Sequence, residues 1–185
     1  MRRGGGIGGW IWRNRGASVA LEFALIAPVI ILLLFGTIEA GLMLLTDANL
    51  ELAVRNGTRY GITGAGGATR DKLIKEKITD LMERWKGPEG VLTVEFKAYP
   101  SFDNIGQPEP FTDGNDNGTY DAGEGYEDIN GNKQWDSDMA SADGGGAGDI
   151  VIYTVTLTRP SFTKVLALAG IDTLVFRRQT VVENE

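Results

Sequence analysis

The pattern of apolar residues predicts a membrane-length helix near the N-terminus. From Phe23 to Leu45 the only strongly polar residue is Glu39, and the residues from Ala24 to Ile38 leave no polar face. A spanning helix needs about 20 apolar residues, whereas the apolar region of a removable secretory signal has about 7 to 15. The run therefore predicts a retained membrane helix, in which the bend caused by Pro28 can be absorbed by neighbouring groups.

Beyond the membrane, the same helix is predicted to continue through Asp47–Asn56, with Gly57 as its terminator. Several glycines between Gly61 and Ala68 indicate a flexible connector. Apolar residues then recur at helical spacing from Arg70 to Lys86, with Thr69 as the N-terminal capping residue. The sequence thus predicts a long helix, a linker and a second amphipathic helix.

Alternation of apolar and polar residues predicts three strands, Val91–Ala98, Asp149–Arg159 and Thr173–Val182. Between the last two, Pro160–Gly170 is predicted to form a short apolar turn or helix. A helix followed by strands indicates an α+β fold with a helix packed on an antiparallel sheet. The chain is therefore divided into a basic leader at residues 1–17, a membrane and extended helix at 18–56, and an α+β domain at 57–185 that carries an acidic insert at 103–143.

Charge is distributed unevenly along the chain. Four arginines, at positions 2, 3, 13 and 15, precede the apolar run and no acidic residue does. The positive-inside rule then places the N-terminus in the cytoplasm and everything after about Thr46 in the periplasm or outside. Without those arginines, the 18 basic residues become 14 against 25 acidic ones, a net charge of −11. The exported part lacks the basic patch that nucleic-acid binding requires, so no nucleic-acid partner is expected.

The chain contains no cysteine and no histidine. A disulfide framework and a thiol site are thereby excluded. The missing histidine removes the commonest general base and a frequent zinc ligand. The carboxylate, serine and lysine residues are not grouped at a catalytic spacing, so we expect no enzyme and no catalytic residues. An exported enzyme anchored by its signal is one alternative.

The insert at 103–143 carries eleven acidic residues and a single basic one, Lys133. Within it, Asp113–Glu124 satisfies the twelve-residue calcium-loop pattern, with Gly118 at the sharp turn. The predicted ligands are Asp113, Asn115, Asn117, the carbonyl of Thr119, Asp121 directly or through water, and both carboxylate oxygens of Glu124. Hard Ca²⁺ requires such an all-oxygen cage, so calcium is the predicted cofactor.

A degenerate copy of this loop follows at Asp128–Asp138. Its oxygen donors are Asp128, Asn130, Asn132, Gln134 and Asp136. The copy lacks a glycine at the sixth position and a glutamate at the twelfth, where Met139 stands. The alternative for both loops is a solvated acidic segment without an ion, because Asp, Asn and Gly are ordinary turn formers.

The flanks of the first loop differ from those of an EF-hand. Pro108, Pro110 and Gly123 argue against a pair of flanking helices. A structural clip of roughly 10⁻⁴ to 10⁻³ M affinity is therefore predicted, rather than a switch.

The segment Arg15–Pro28, RGASVALEFALIAP, resembles the N-terminus of TadE-like (TadE/TadG-type) pseudopilins of the tight-adherence, or Flp-type, pilus system. Residues 148–155 and 177–185 are similar to the closing strands of that family, and the calcium-like insert resembles one that some members carry. The resemblance implies an inner-membrane pseudopilin, processed by a prepilin peptidase and required for assembling or priming the pilus. Its implied partners are that peptidase, other Tad pilins and pseudopilins, inner-membrane platform proteins and the membrane.

The resemblance also implies where the leader is cut. Prepilin peptidases usually cut after glycine and leave glutamate as the fifth mature residue. A cut after Ala17 makes Ser18 the first and Glu22 the fifth residue, whereas a cut after Gly16 makes Glu22 the sixth. The first bond is favoured, and Phe23 closes the processing motif. Glu22 is then expected to neutralise the new amine of Ser18; alternatively, its carboxylate merely lies at headgroup level.

Two further points stay open at the level of the sequence. Glu39 either lies in the outer leaflet or faces another pseudopilin, and the length of the preceding apolar run favours a position near the periplasmic edge. A membrane-anchored calcium-binding adhesion module without peptidase processing is the other alternative function. The mature N-terminus, near Ser18 or at Met1, distinguishes it from a pseudopilin.

Overall fold

The computed structural model describes residues 15–62 and 68–184. The leader before residue 15 and residues 63–67 of the predicted connector lie outside this part of the chain. Within the described residues the chain forms two α-helices and three strands: α1 at Arg15–Ile62, α2 at Ala68–Lys86, β1 at Val91–Tyr99, β2 at Ile150–Pro160 and β3 at Thr173–Glu183. This order confirms the predicted α+β succession of a long helix, a second helix and three strands.

The chain divides into two compact units. We call the first the stem unit; it contains α1 as far as Leu44 together with Ser161–Asp172. The second, the sheet unit, contains Leu45–Pro160 and the chain from Thr173 onward. The predicted domain boundary after residue 56 lies inside α1.

Helix α1 does not end at Gly57, as the sequence predicted, but continues to Ile62. A Cβ atom added at Gly57 would lie 2.5 Å from Cγ1 of Ile78 on α2. The glycine therefore permits a close approach of two helices rather than a helix end. Leu50 and Val54, on the same part of α1, are buried in the sheet unit.

Helix α2 begins at Ala68, so Thr69 lies within its first turn and not at the predicted cap position. Helix ends commonly differ by a residue or two, and alanine is a strong helix former. The predicted apolar face is confirmed, because Ile74, Ile78 and Met82 are all fully buried.

The three strands form one antiparallel sheet with the order β1-β2-β3. The predicted strands are confirmed to within one residue at each end. On the central strand, Val151, Tyr153, Val155 and Leu157 are buried on one face, as the alternation predicts. Ile152, on the opposite face, is buried as well because Tyr99 and Met139 cover it. Part of the acidic insert thus packs on the second face of the sheet.

The connection between β2 and β3 contains a short 3₁₀ helix at Leu166–Ala169, as predicted. Gly170 ends it in the left-handed conformation, with a φ of 79°. The backbone N–H of Gly170 bonds the carbonyl of Ala167 at 3.0 Å. We call the whole connection, Ser161–Asp172, the apolar loop.

Candidate functional sites in the stem and the paired acidic loops

The predicted processing site lies at the start of α1. Because the helix begins at Arg15, the bonds after Gly16 and after Ala17 are both in its first turn. Ser18 Oγ donates a hydrogen bond to Glu22 Oε1 at 3.3 Å, one helical turn away. The structure therefore brings together the two residues that the predicted amine neutralisation requires.

The stem helix presents an apolar surface that protein atoms do not cover. Large side chains between Val19 and Leu45 are exposed, including Phe23 at 69% and Leu33 at 67%. Among the described residues, Ser18–Arg59 is the one helical stretch long and apolar enough to cross a membrane, judged by length and composition. Such a surface is suited to lipid, and membrane anchoring follows as its simplest explanation.

Glu39 is the exception on this helix, because only 1% of its surface is exposed. Its carboxylate accepts hydrogen bonds from Phe162 N at 2.8 Å, Thr163 N at 2.7 Å and Thr163 Oγ1 at 2.6 Å. The carboxylate therefore contacts the apolar loop of its own chain. No periodicity or motif in the sequence indicates this pairing, since the partners are 124 positions apart.

The first acidic loop is organised around Asp113 and Glu124. Glu124 accepts the backbone N–H of Gly114 at 2.8 Å through Oε1 and that of Asp121 at 2.9 Å through Oε2. Asp113 accepts three backbone N–H groups, from Asn115 (3.3 Å), Asn117 (3.2 Å) and Gly118 (2.7 Å). These bonds, with that of Gly118 contributing most, lower the pKa of the Asp113 carboxyl.

Side-chain amides complete the first loop. Nδ2 of Asn115 and of Asn117 donates to Asp121 Oδ2 at 2.8 and 2.7 Å. Thr119 donates to Asn117 Oδ1 through its backbone N–H and its hydroxyl. All predicted ligands of this loop thus lie in one hydrogen-bonded turn.

The second loop has the same arrangement. Asp128 accepts the backbone N–H groups of Gly131 (2.8 Å), Asn132 (3.1 Å) and Lys133 (2.9 Å). The amides of Asn130 and Asn132 donate to Asp136 Oδ2 at 2.8 and 2.6 Å, and Gln134 N donates to Asn132 Oδ1 at 2.7 Å. Lys133 occupies the turn position in the left-handed conformation, with a φ of 66°, where the first loop has Gly118 at 76°. The missing glycine therefore does not prevent the turn.

The glutamate of the second loop is Glu109, which the sequence analysis missed. Glu109 is fully buried and accepts the backbone N–H groups of Ile129 at 2.8 Å and Asp136 at 3.1 Å. These bonds reproduce those that Glu124 makes with Gly114 and Asp121. Met139, which stands at the twelfth position, is buried beneath the insert instead.

An internal repeat in the sequence could have revealed this glutamate. Equivalent residues of the two loops are separated by the same 15 positions: Glu109 and Glu124, Phe111 and Tyr126, Asp113 and Asp128, Asn115 and Asn130, Asn117 and Asn132, Tyr120 and Trp135, Asp121 and Asp136. If each repeat is taken to begin at its glutamate, Glu109 or Glu124, the second loop is seen to be a complete copy of the first. Each repeat supplies the glutamate that closes the other loop.

Aromatic side chains fill the space between the paired loops. Tyr120 and Trp135 stack with ring centroids 4.6 Å apart, and Phe111 contacts both edge-on at 5.9 Å. Phe111 and Tyr126 also form an antiparallel bridge between the two repeats. The loops are therefore packed as one unit, in which the position of one constrains the other.

An ion pair connects the insert to the sheet. Lys97 on β1 and Asp138 in the insert form it, with Nζ and Oδ2 2.6 Å apart. Burial raises the pKa of Asp138, but hydrogen bonds from Lys97 and Tyr99 outweigh this effect and the net shift is downward. The bond to Asp138 is the main cause of a raised pKa for Lys97. A bridge between Ala98 and Ser141 supports the same junction.

The donor set of the loops is suited to calcium. Carboxylate and amide oxygens are hard ligands, and no sulfur or imidazole is present to favour zinc or copper. Within residues 15–62 and 68–184, however, no three Asp or Glu side chains converge on one point. Binding would therefore need the asparagine amides to turn their oxygens, in place of Nδ2, toward the carboxylates that they now contact.

Within the described residues, one apolar helix of membrane length precedes a small α+β domain, an arrangement that suggests a membrane-anchored class of protein. A family model, described as TadE-like protein, matches residues 17–59. The N-terminal segment of this chain is therefore TadE-like, and the resemblance predicted from its sequence is confirmed there. No curated protein and no solved structure matches the chain.

Proposed function

We propose that this chain is a minor pseudopilin of a Tad (Flp-type IV) pilus assembly system. The TadE-like match at residues 17–59 is the observation that carries the proposal. The matched segment contains the favoured cleavage bond after Ala17, the Ser18–Glu22 contact and the uncovered apolar helix. The chain would be anchored in the inner membrane, be processed by a prepilin peptidase and contribute to pilus biogenesis together with other pilins and platform proteins.

The role of Glu22 follows from the geometry of a cut after Ala17. The new amine of Ser18 would lie one helical turn from the Glu22 carboxylate, which Ser18 already contacts through its hydroxyl. An unpaired charge at the edge of a lipid-facing helix is costly. An ion pair between the carboxylate and the amine leaves neither charge unpaired. The pairing would form within one subunit or between neighbouring subunits.

We propose that the sheet unit lies in the periplasm. The arginines at positions 2, 3, 13 and 15 precede the apolar run, and by the positive-inside rule they favour an N-terminus in the cytoplasm. We assign no catalytic residues to the exported part.

The paired acidic loops are proposed to be two structural calcium sites. Asp113, Asn115, Asn117, Thr119, Asp121 and Glu124 would hold one ion, and Asp128, Asn130, Asn132, Gln134, Asp136 and Glu109 the other. Bound Ca²⁺ would offset the repulsion among the carboxylates of the insert. Because it would bind only the folded loops, it would stabilise the fold.

The N-terminus of the mature protein tests the pseudopilin proposal. The full-length chain is purified from cells that contain the prepilin peptidase and from cells that lack it, and its N-terminus is read by mass spectrometry. We expect Ser18 as the first residue only in the former. A chain that begins at Met1 in both would contradict the proposal and favour the unprocessed adhesion module.

A matched pair of variants tests the role of the Glu22 charge. Glu22→Ala should still insert into the membrane but fail to support pilus assembly. Glu51→Ala, which removes an exposed carboxylate farther along the same helix, should assemble normally. Normal assembly of Glu22→Ala would show that the charge has no such role.

A further inference from the structure

The apolar loop exposes side chains that a water-facing connection would avoid. Leu168 is 77% exposed and Ile171 47%, and Ala167 and Ala169 beside them are exposed too. No residue from 167 to 171 has a polar side chain. Isolated apolar residues on a surface are ordinary, but here they follow one another along a single turn.

The loop is held at a fixed level of the stem helix. Glu39 binds its first residues through Phe162 N and Thr163 N. Its two ends are closed by a hydrogen bond of 3.4 Å from Ser161 N to the carbonyl of Asp172. The exposed residues therefore stay close to the part of α1 that carries Glu39.

The level of Glu39 corresponds to the far side of a bilayer. An α-helix rises about 1.5 Å per residue, so Glu39 lies roughly 30 Å along the axis from Ser18. This length equals the thickness of the hydrocarbon core, about 30 Å. If Ser18 and Glu22 lie at the cytoplasmic boundary, Glu39 and the apolar loop lie at the opposite one.

We propose that the apolar loop is a second membrane contact, which inserts Leu168 and Ile171 into the outer interface of the bilayer that α1 crosses. The loop belongs to the same compact unit as the uncovered stem, so one lipid phase would cover both. Lys164, which is exposed in the same loop, would reach anionic headgroups. Burial of Glu39 by the loop amides removes the carboxylate from contact with lipid. The inference rests on the membrane anchoring proposed above.

The absence of cysteine allows a direct test with single labelled positions. Leu168→Cys, Ile171→Cys, Leu33→Cys and Lys72→Cys are made in the full-length chain, labelled with an environment-sensitive fluorophore and placed in nanodiscs of phosphatidylcholine and phosphatidylglycerol. Quenching is then measured with lipids that carry a nitroxide near the headgroup and, separately, with lipids that carry it along the acyl chain. Leu33 is the stem reporter, and Lys72, whose side chain is 76% exposed on α2, is the water reporter.

We expect the labels at positions 168 and 171 to be quenched several-fold more strongly than the label at 72. Equal quenching at 168 and 72, with a lipid-quenched label at 33, would overturn the loop inference but leave the anchoring intact. A label at 33 that is not quenched by lipid would overturn the anchoring and the loop inference together. Because the labelled side chains are exposed, circular dichroism should show an unchanged fold.

Discussion

The Glu39 carboxylate on the stem helix and Thr163 in the apolar loop are joined by hydrogen bonds of 2.7 Å to the backbone N–H and 2.6 Å to the hydroxyl. A carboxylate in an apolar helix would be expensive if it were bare. Here the chain supplies its donors from a segment that follows 124 positions later. Closure of the loop thus depends on a charge that belongs to the stem.

Removal of this carboxylate should release the loop. Glu39→Ala removes the part-buried hydrogen bonds that Phe162 N and Thr163 N donate to the carboxylate, and a hydrogen bond to a charged group contributes about 1.5 to 3 kcal/mol. Since about 1.4 kcal/mol corresponds to a tenfold change in an equilibrium constant, amide exchange at these two positions should accelerate about tenfold or more. Hydrogen exchange followed by mass spectrometry of the micelle-embedded chain measures it.

Two further variants test whether loss of the Glu39 carboxylate causes the faster amide exchange. Glu39→Gln keeps one acceptor oxygen and should give an intermediate acceleration. Glu51→Ala removes only an exposed ion pair with Arg55 and should leave exchange at residues 162 and 163 unchanged. Unaltered exchange in Glu39→Ala would show that the loop is held by other contacts.

Substitution of Gly57 should destabilise the sheet unit. Alanine is favoured over glycine in a helix by about 1 kcal/mol, but the added Cβ would lie 2.5 Å from Ile78 Cγ1 and 2.9 Å from its Cδ1. Forcing extra volume into a packed site typically costs about 1 to 3 kcal/mol. We therefore expect Gly57→Ala to lower the midpoint of thermal unfolding.

A double-mutant cycle checks the steric explanation. Ile78→Ala removes both Cγ1 and Cδ1, so Gly57→Ala should cost less in that background than in the native one. Gly41→Ala, where an added Cβ meets nothing within 4 Å, should not lower the midpoint. Equal costs of Gly57→Ala in both backgrounds would contradict the proposed contact with Ile78.

The two glutamates of the paired loops should separate the two proposed calcium sites. Isothermal titration calorimetry of the full-length chain in detergent should show two bound ions. Glu124→Gln should abolish binding at the first loop, and Glu109→Gln should abolish binding at the second loop. Each change removes one charge and the bidentate carboxylate that closes the loop. Glu127→Gln, an exposed position in the same insert, is the matched control.

The outcomes of that titration are distinct. Absence of heat and of any rise in the unfolding temperature at millimolar Ca²⁺ would refute both sites. A single ion that is lost only in Glu124→Gln would confine binding to the first loop, and Glu109 would then have a purely structural role. Because Glu109 is fully buried, circular dichroism should establish that Glu109→Gln is folded.

Stability should vary with pH through the pair formed by Lys97 and Asp138. The pKa of Asp138 is below its ordinary value of 3.8 in the folded chain, so its contribution is present above that value and is lost as the pH falls through the lower, folded pKa. The pKa of Lys97 is above 10.5, so its contribution is present below that value and is lost as the pH rises through the higher, folded pKa.

The unfolding temperature should therefore be highest between about pH 4 and pH 10 as far as this pair is concerned. Asp138→Asn should reduce the decline on the acidic side, and Lys97→Met the decline on the alkaline side. Thermal unfolding across this range measures both. Unchanged pH profiles in the two variants would show that other groups control the dependence.

The sequence by itself determined the features that depend on neighbouring residues. The apolar length of the stem, the helical period of α2, the alternation in the three strands and the donor spacing of Asp113–Glu124 are repeated over a few positions, and local backbone geometry converts each into a structure. The TadE-like segment is likewise a contiguous stretch of the chain.

Only the tertiary structure decided which distant residues meet. Gly57 looked like a helix terminator until α2 packed against it, and Glu109 acquired its place in the second loop by folding back over the insert. Glu39 found its donors in the apolar loop in the same way. The contacts of Gly57 and Glu39 depend on how the chain closes on itself, and chain closure leaves no period or spacing that can be read along the sequence. Glu109 is marked in the sequence by the 15-residue repeat, but only the folded insert shows that the glutamate of one repeat closes the loop of the other.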